Sequence, residues 1–213
     1  VAVNRALRIA GWYTERSEPD LMQWLDLVAL GTVCDVVPLK GVNRALVTQG
    51  LKVMSKRSNL GLVALADVAG IDEPPGAYHA GFILGPRINA GGRVGKSDLG
   101  ARLLSTDNKI EAAEIAATLN IYNKEGQEIE AKVLEEANQQ IDEIEAQSAS
   151  IVIAVGEGWH PGVVGIVASC LKERFDRPSL VIALSDGTGT GSGRSVSSVD
   201  LGGAIIAARQ AGI

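Results

Sequence analysis

One stretch constrains this chain more than any other. An apolar run, Ile151-Val-Ile-Ala-Val155, leads into Gly158-Trp-His-Pro-Gly-Val-Val-Gly-Ile-Val-Ala-Ser169. The run reads as a buried strand, the glycines with His160 and Pro161 as a turn, and the apolar remainder as a helix. A strand that ends in a Gly-rich turn at a helix N-terminus makes an anion site. The first helical N–H groups have no intrahelical partner, and the helix dipole puts partial positive charge there. Trp159 and His160 stand at its mouth.

The segments that follow continue the alternation. Residues 179–184 read as a strand, a Gly-rich crossing leads to Ser192–Ser197, and a last helix runs from about Asp200, its N-cap, to Gln210. Such alternation predicts an α/β fold with mostly parallel sheets.

Upstream lies a long helical pattern, Asn108 to Gln147. Ile115, Leu119, Tyr122, Gly126, Ile129, Val133, Ala137, Ile141 and Ile144 recur at spacings of three and four. At about 1.5 Å per residue it spans roughly 55–60 Å, more than a small domain, so it reads as a connecting helix between two α/β lobes. The expected division is 1–107, the helix 108–147, and 148–213. Gly126 on the stripe permits either a bend or a close approach. In the first part Leu25–Ala29 reads as a strand before a Gly31-Thr32 turn. Asn43–Lys56 and Gly61–Ala69 read as helices, and residues 70–97 as a Gly- and Pro-rich loop.

Composition excludes several classes. The chain has 213 residues with 46% hydrophobic and 4% aromatic side chains, ordinary for an α/β protein. Its two cysteines, Cys34 and Cys170, form no CxxC, which argues against zinc and a disulfide framework and fits a reducing cytoplasm. No apolar run reaches the roughly 18 residues of a membrane span. The first residues look like the inside of a helix with no cap, as expected of a piece of a longer protein. The net charge is −5, yet its source is local. Residues 1–100 hold 11 basic and 9 acidic side chains, residues 101–150 hold 4 and 11, and residues 151–213 hold 5 and 5. The acidic excess lies in the long helix, and a phosphate site elsewhere is not excluded.

Four places carry candidate chemistry. Asp35 sits in the apolar run Leu27-Val-Ala-Leu-Gly-Thr-Val-Cys-Asp-Val-Val-Pro-Leu39; a carboxylate there is costly unless paired or metal-bound, and the other reading is an exposed cap. Arg87, Asn89 and Arg93 fall in Gly85-Pro-Arg-Ile-Asn-Ala-Gly-Gly-Arg93, where a loop would bring guanidinium groups to phosphates or would simply turn. Ser192, Gly193 and Arg194 close Gly187-Thr-Gly-Thr-Gly-Ser-Gly-Arg-Ser195; Ser192 and Arg194, two apart on an extended backbone, face one side, and the other reading is a flexible hairpin. His160 is a base, a phosphate donor or a packed residue. His79 has no constellation, and Trp12 and Trp24 read as packing residues. No Walker loop or complete dinucleotide fingerprint occurs.

Together these four motifs, in this order over nearly the whole chain, resemble the single-strand-specific 5′→3′ exonuclease family of the DHH phosphoesterase superfamily. The resemblance implies the end of a DHH domain, a connecting helix and a DHH-associated substrate-binding domain. It implies that Asp35 is one ligand of a Mn²⁺ or Mg²⁺ pair that hydrolyses phosphodiester bonds in DNA repair and recombination. It implies that Arg93, Ser192, Gly193 and Arg194 grip phosphate at the 5′ end. His160, with the amides of Gly162 and Val163, would hold phosphates near the scissile bond. Arg87 and Asn89 share a motif without a defined role. Single-stranded DNA is the implied partner, with a single-strand-binding protein and a helicase as accessory partners.

The departures are specific. The DxD and Asp-His-His segments that supply most metal ligands in the family are not in these 213 residues. They are expected before Val1, and the chain alone is expected to be inactive. The oligonucleotide-binding fold that often completes such enzymes is also missing from them. Cys170 stands where the family commonly has Arg, and Gly126 interrupts a Glu-Arg-Gln run. Two alternatives remain: a phosphodiesterase of short oligonucleotides or cyclic dinucleotides, and a non-catalytic nucleic-acid-binding module.

Overall fold

The computed structural model describes residues 1–141 and 149–212. They fall into two units. The first comprises residues 1–89 and 98–120, the second residues 90–97 and 121–213, of which the last is outside the described residues.

The first unit is helical: no strand occurs among its described residues. After α1 (Ala2–Ile9) and a 3₁₀ turn (Leu21–Trp24) come α2 (Leu25–Cys34), α3 (Gly41–Met54) and α4 (Leu60–Val68). A π-turn (His79–Leu84) leads into α5 (Gly85–Val94), followed by α6 (Leu99–Ser105) and α7 (Lys109–Gln140). The core is aliphatic, with Ala29, Leu65, Leu84, Leu103 and Leu119 fully buried. Helices α2 and α3 pack backbone to backbone: a β-carbon on Gly50 would stand 2.1 Å from the carbonyl oxygen of Leu25. Asn59 caps α4 by accepting from the Leu62 N–H, and its amide donates to the Leu104 carbonyl at 3.1 Å, tying α4 to the end of α6.

Two expectations are corrected here. Leu25–Ala29 is helix, not strand. A run this uniformly apolar has no period to reveal its geometry, and the buried positions Leu25, Asp26, Ala29 and Leu30 show helical spacing only once packed. The Gly- and Pro-rich stretch from Gly85 to Arg93 is also helix. Pro86 sits in its first turn, where a missing N–H costs nothing. Gly85 is there because a β-carbon would meet the Cys34 sulfur at 2.5 Å.

Helix α7 runs unbroken through Gly126, where a β-carbon would meet Val94 Cγ1 at an ordinary 4.0 Å, so no close approach explains that residue. Lys109–Asn120 belong to the first unit and Ile121–Gln140 to the second. Its apolar stripe is buried at Ile115, Leu119, Val133 and Ala137. The end expected at Gln147, with Ile144, lies outside the described residues.

The second unit holds a three-stranded sheet in the order β1 (Val152–Glu157), β2 (Ser179–Ser185), β3 (Thr188–Arg194). β1 and β2 are parallel, joined through α8 (Val164–Phe175), and β2 and β3 are antiparallel. The fold is therefore α/β as expected, but with one small mixed sheet confined to the second unit rather than mostly parallel sheets in two lobes. The Gly-rich stretch after β2 is β3 of a tight hairpin, the alternative reading of Gly187–Ser195, rather than a crossing. Ser185 pairs with Thr188, leaving the two-residue loop Asp186-Gly187 with φ of 52° and 75° at its two positions, the type I′ combination that matches strand twist. α8 packs on the sheet through Val164, Val167, Ala168 and Leu171, against Ala154, Val181 and Ala183. Each fully buried aliphatic side chain contributes about 1.5–3 kcal/mol. The edge of β1 is closed by a side chain: Gln140 donates to the Val155 carbonyl at 3.0 Å and accepts from its N–H at 3.1 Å. α9 (Leu201–Gln210) starts at Asp200, which accepts from the Gly203 N–H as expected of an N-cap.

Candidate phosphate site at the start of α8

The turn before α8 is built from its own residues. The His160 carbonyl accepts from the Val163 N–H at 3.1 Å, closing a β-turn with Pro161 at its second position. The His160 ring turns back and accepts from the Gly162 N–H through Nδ1 at 3.0 Å. The neutral ring therefore carries its proton on Nε2, a tautomer assigned from this hydrogen bond. Both amides that sequence reasoning offered to phosphate, Gly162 and Val163, are thus spent inside the turn. The amides without an acceptor among the described residues are the next two, Val164 and Gly165. No side chain caps this helix.

Trp159 is not at the mouth of the site. It is buried, 6% exposed, in the core beneath it. Its ring lies flat on Gly156, where a β-carbon would stand 2.0 Å from an indole atom, and Nε1–H donates to Glu136 Oε2 on α7 at 2.6 Å. Gly162 is equally confined: its β-carbon would stand 2.2 Å from the carbonyl oxygen of Arg93. The end of α5 and the turn before α8 are in backbone contact.

Arg194, the last residue of β3, reaches the first turn of α8. Its Nε–H donates to Ser169 Oγ at 3.1 Å, and Nη1 donates to Ser192 Oγ at 3.1 Å and to the Gly193 carbonyl at 2.9 Å. Nη2 lies 3.1 Å from where a Gly165 β-carbon would be. No carboxylate pairs with Arg194 among the described residues. A cation held at the positive end of a helix, beside two open amides and with no balancing acid, is an arrangement that an anion completes. Within the second unit, the turn of His160, Gly162 and Val163 meets the Arg93 carbonyl, and Arg194 with Ser192 and Gly193 meets Gly165 and Ser169 of α8. Ser169 and Gly165 were missed as individual site residues; their i, i+4 spacing on a helix was the available signal.

Other expected residues go elsewhere. On a helix, Arg87 and Arg93 point about 120° apart, whereas Asn89 and Arg93 share a side within about 40°. Arg87 is structural: Nε–H donates to Asn120 Oδ1 at 3.0 Å and Nη1 to the Ile83 carbonyl at 2.8 Å, and burial lowers its pKa. Asn89 is exposed. Glu130 faces Arg93; burial raises its carboxyl pKa and Arg93 opposes the shift. The Cys170 thiol is pushed up by burial and by Glu130 and Glu173, so it remains a thiol. His79 accepts from the Gly76 N–H and pairs with Glu73, a turn-closing role. Trp12 and Trp24 are half exposed rather than packed, Trp12 under the Arg16 guanidinium.

Asp35 caps the C-terminus of α2 and is exposed, so the cost of burial expected for it does not arise. The buried carboxylate is Asp26, 2% exposed, whose pKa is raised by burial against its bonds to backbone N–H groups. No group of three or more His, Cys, Asp or Glu could hold a metal ion among the described residues. Asp35 alone does not make a metal site. No described helix is long and apolar enough to cross a membrane.

No protein-family model matches the chain. Curated relatives do. It is 40% identical to the single-stranded-DNA-specific exonuclease RecJ of Dickeya dadantii, over 96% of this chain and 37% of the relative. Identity to Escherichia coli RecJ is also 40% with the same coverage, and 39% to Thermus thermophilus RecJ over 80% of the chain. Among solved structures, Thermus thermophilus RecJ with Mg²⁺ superposes with a TM-score of 0.79 at 33% identity, covering 94% of this chain and 30% of that one. Exonuclease RecJ bound to manganese gives 0.77 at 33%, covering 92% and 48%. The class these matches define is that of the single-stranded-DNA-specific exonucleases. Within it, the chain belongs to the RecJ family, and it spans 37% of the length of its first curated relatives.

Proposed function

We propose that the chain is the strand-seating part of a RecJ-type 5′→3′ exonuclease acting on single-stranded DNA. In this reading residues 1–107 end a DHH domain, residues 108–147 form the connecting helix, and residues 148–213 belong to the DHH-associated domain. The observation that carries it is the Arg194 guanidinium held against Gly165 in the first turn of α8, where the Val164 and Gly165 amides have no acceptor among the described residues. A terminal phosphate would accept from Nη2 and from those amides, with His160 Nε2–H and the Arg93 guanidinium as further donors.

Catalysis divides accordingly. The relatives' structures hold Mg²⁺ or Mn²⁺, and such ions would supply the activated water when bound. Asp35 is proposed as one oxygen donor. Its place at the negative end of α2, without a paired cation among the described residues, suits that role. The residues of the second unit seat and orient the strand. Strand cleavage needs ligands that the described residues do not supply. The chain by itself is expected to bind single strands without degrading them, and Mn²⁺-dependent degradation by the pure chain would overturn this.

Binding through phosphates releases counterions, so affinity for single strands falls as salt rises. Titrating labelled oligonucleotide at several salt concentrations tests this, and an affinity independent of salt would contradict it. Turnover of long strands against dinucleotides by the full-length protein separates the exonuclease reading from a small-substrate phosphodiesterase.

A further inference from the structure

We propose that Ser169 is a positioning residue for Arg194, a role that rests on the reading that Arg194 takes a DNA phosphate. Ser169 lies one turn below Gly165 on α8. Its hydroxyl donates to the Gly165 carbonyl at 3.1 Å, so its proton is committed and a lone pair faces the Arg194 Nε–H at 3.1 Å. Ser192 Oγ and the Gly193 carbonyl take both hydrogens of Nη1. Three of the five guanidinium hydrogens are therefore engaged, and the pair on Nη2 remains, beside the open amides of the first turn.

Gly165 is the companion of this device. The space its missing β-carbon leaves, 3.1 Å from Nη2 and 3.2 Å from Ser192 Oγ, lets the planar group lie against the helix. Left to itself, a guanidinium would leave the positive end of a helix for water, because dipole and charge repel. Two hydroxyls hold it there. A carboxylate in place of Ser169 would hold it more strongly but would neutralise it and repel the phosphate. A serine fixes the geometry and keeps the site positive. Phosphate then meets a side chain already ordered, and the entropy of immobilising it is not lost on binding.

The test compares the 213-residue chain with its Ser169→Ala, Ser169→Thr and Arg194→Ala variants. Alanine favours the helix at position 169, so a loss of binding is not a loss of fold, and far-ultraviolet circular dichroism verifies this. The probe is one labelled single strand, with a 5′-phosphate or a 5′-hydroxyl. Ser169→Ala is expected to weaken binding of the phosphorylated strand by roughly two- to tenfold, the cost of ordering one long side chain on binding. The hydroxyl strand should change less, and Ser169→Thr should restore the difference. Before any DNA is added, the Arg194 Nε–H resonance should shift and exchange faster in Ser169→Ala. If Arg194→Ala loses the phosphate preference while Ser169→Ala keeps it, or Ser169→Thr fails to restore it, the Ser169 proposal is overturned alone. An unmoved Nε–H resonance overturns it equally. If Arg194→Ala binds as the wild type does, the phosphate reading itself falls.

Discussion

The α-carbon of Gly162 rests against the carbonyl oxygen of Arg93, with no room for a β-carbon between them. This contact joins two motifs that lie about seventy residues apart in the sequence, and it sets where the His160 turn stands relative to the end of α5. Gly162→Ala would push a methyl group to 2.2 Å from that oxygen. Backbone on one side cannot yield as a flexible side chain would. The expected result is a loss of about 1–3 kcal/mol of stability in denaturant unfolding, together with weaker strand binding. Unchanged stability would show that the two segments separate freely.

Val36 tests what aims Asp35. Its N–H donates to the Val33 carbonyl, and the Val37 N–H donates to the Thr32 carbonyl, the paired bonds of a Schellman helix end. The residue at the left-handed position is normally Gly; here it is Val36, at φ 54° and exposed. A β-branched residue in that region is strained. Val36→Gly should therefore stabilise the chain by about 0.5–1 kcal/mol, less than the strain relieved, because glycine also gains freedom in the unfolded chain. An urea titration that finds Val36→Gly destabilised would contradict this account of the turn.

Arg87 was grouped with Arg93 on sequence and belongs to another task. With its guanidinium donating to Asn120 and to the Ile83 carbonyl, Arg87→Ala leaves polar groups unpaired in a half-buried place. It should cost about 1–3 kcal/mol of stability. The 5′-phosphate preference of the folded protein should stay intact. A variant of full stability and lost phosphate preference would reverse the assignment.

Asp26 gives a pH dependence. Burial raises its folded pKa above the unfolded value near 3.9. For an acid shifted upward, the unfolded state releases its proton first. Stability is highest below the unfolded pKa and declines as pH rises toward the folded pKa, above which the loss is complete. Asp26→Asn removes that ionisation. Its stability curve should lack the decline that begins near pH 4, and at pH 7 it should equal or exceed the wild type. An identical pH profile for both proteins would show that Asp26 is not the group responsible.

What could be read from the sequence was whatever had a period or a contrast. Helices α3 and α4, the apolar stripe of α7, the β1–turn–α8 unit and the Asp200 cap all showed this, and the Ser192–Arg194 pair followed from strand alternation. Three features were hidden. The run from Leu25 to Cys34 is too uniformly apolar to declare a period. The Gly85–Arg93 segment carries breakers that are harmless where they fall, Pro86 in a first turn and Gly85 against Cys34. The Gly187–Ser195 hairpin stood only as the alternative reading, because Asp186-Gly187 lies amid other glycines. At the site, the types of residue were legible, but their hydrogen bonds were not. Only the folded turn shows that the Gly162 and Val163 amides serve His160, while those of Val164 and Gly165 have no acceptor among the described residues.

The central claim is that Arg194 and the first turn of α8 form one phosphate site. The affinity of this chain for a 5′-phosphorylated single strand, divided by that for the same strand with a 5′-hydroxyl, tests it most directly in the wild type and in Arg194→Ala. A charge-assisted hydrogen bond contributes about 1.5–3 kcal/mol, so the ratio should exceed roughly tenfold in the wild type and fall toward one in the variant. Equal affinities for the two strands in the wild type, or a ratio that survives loss of Arg194, would contradict the account.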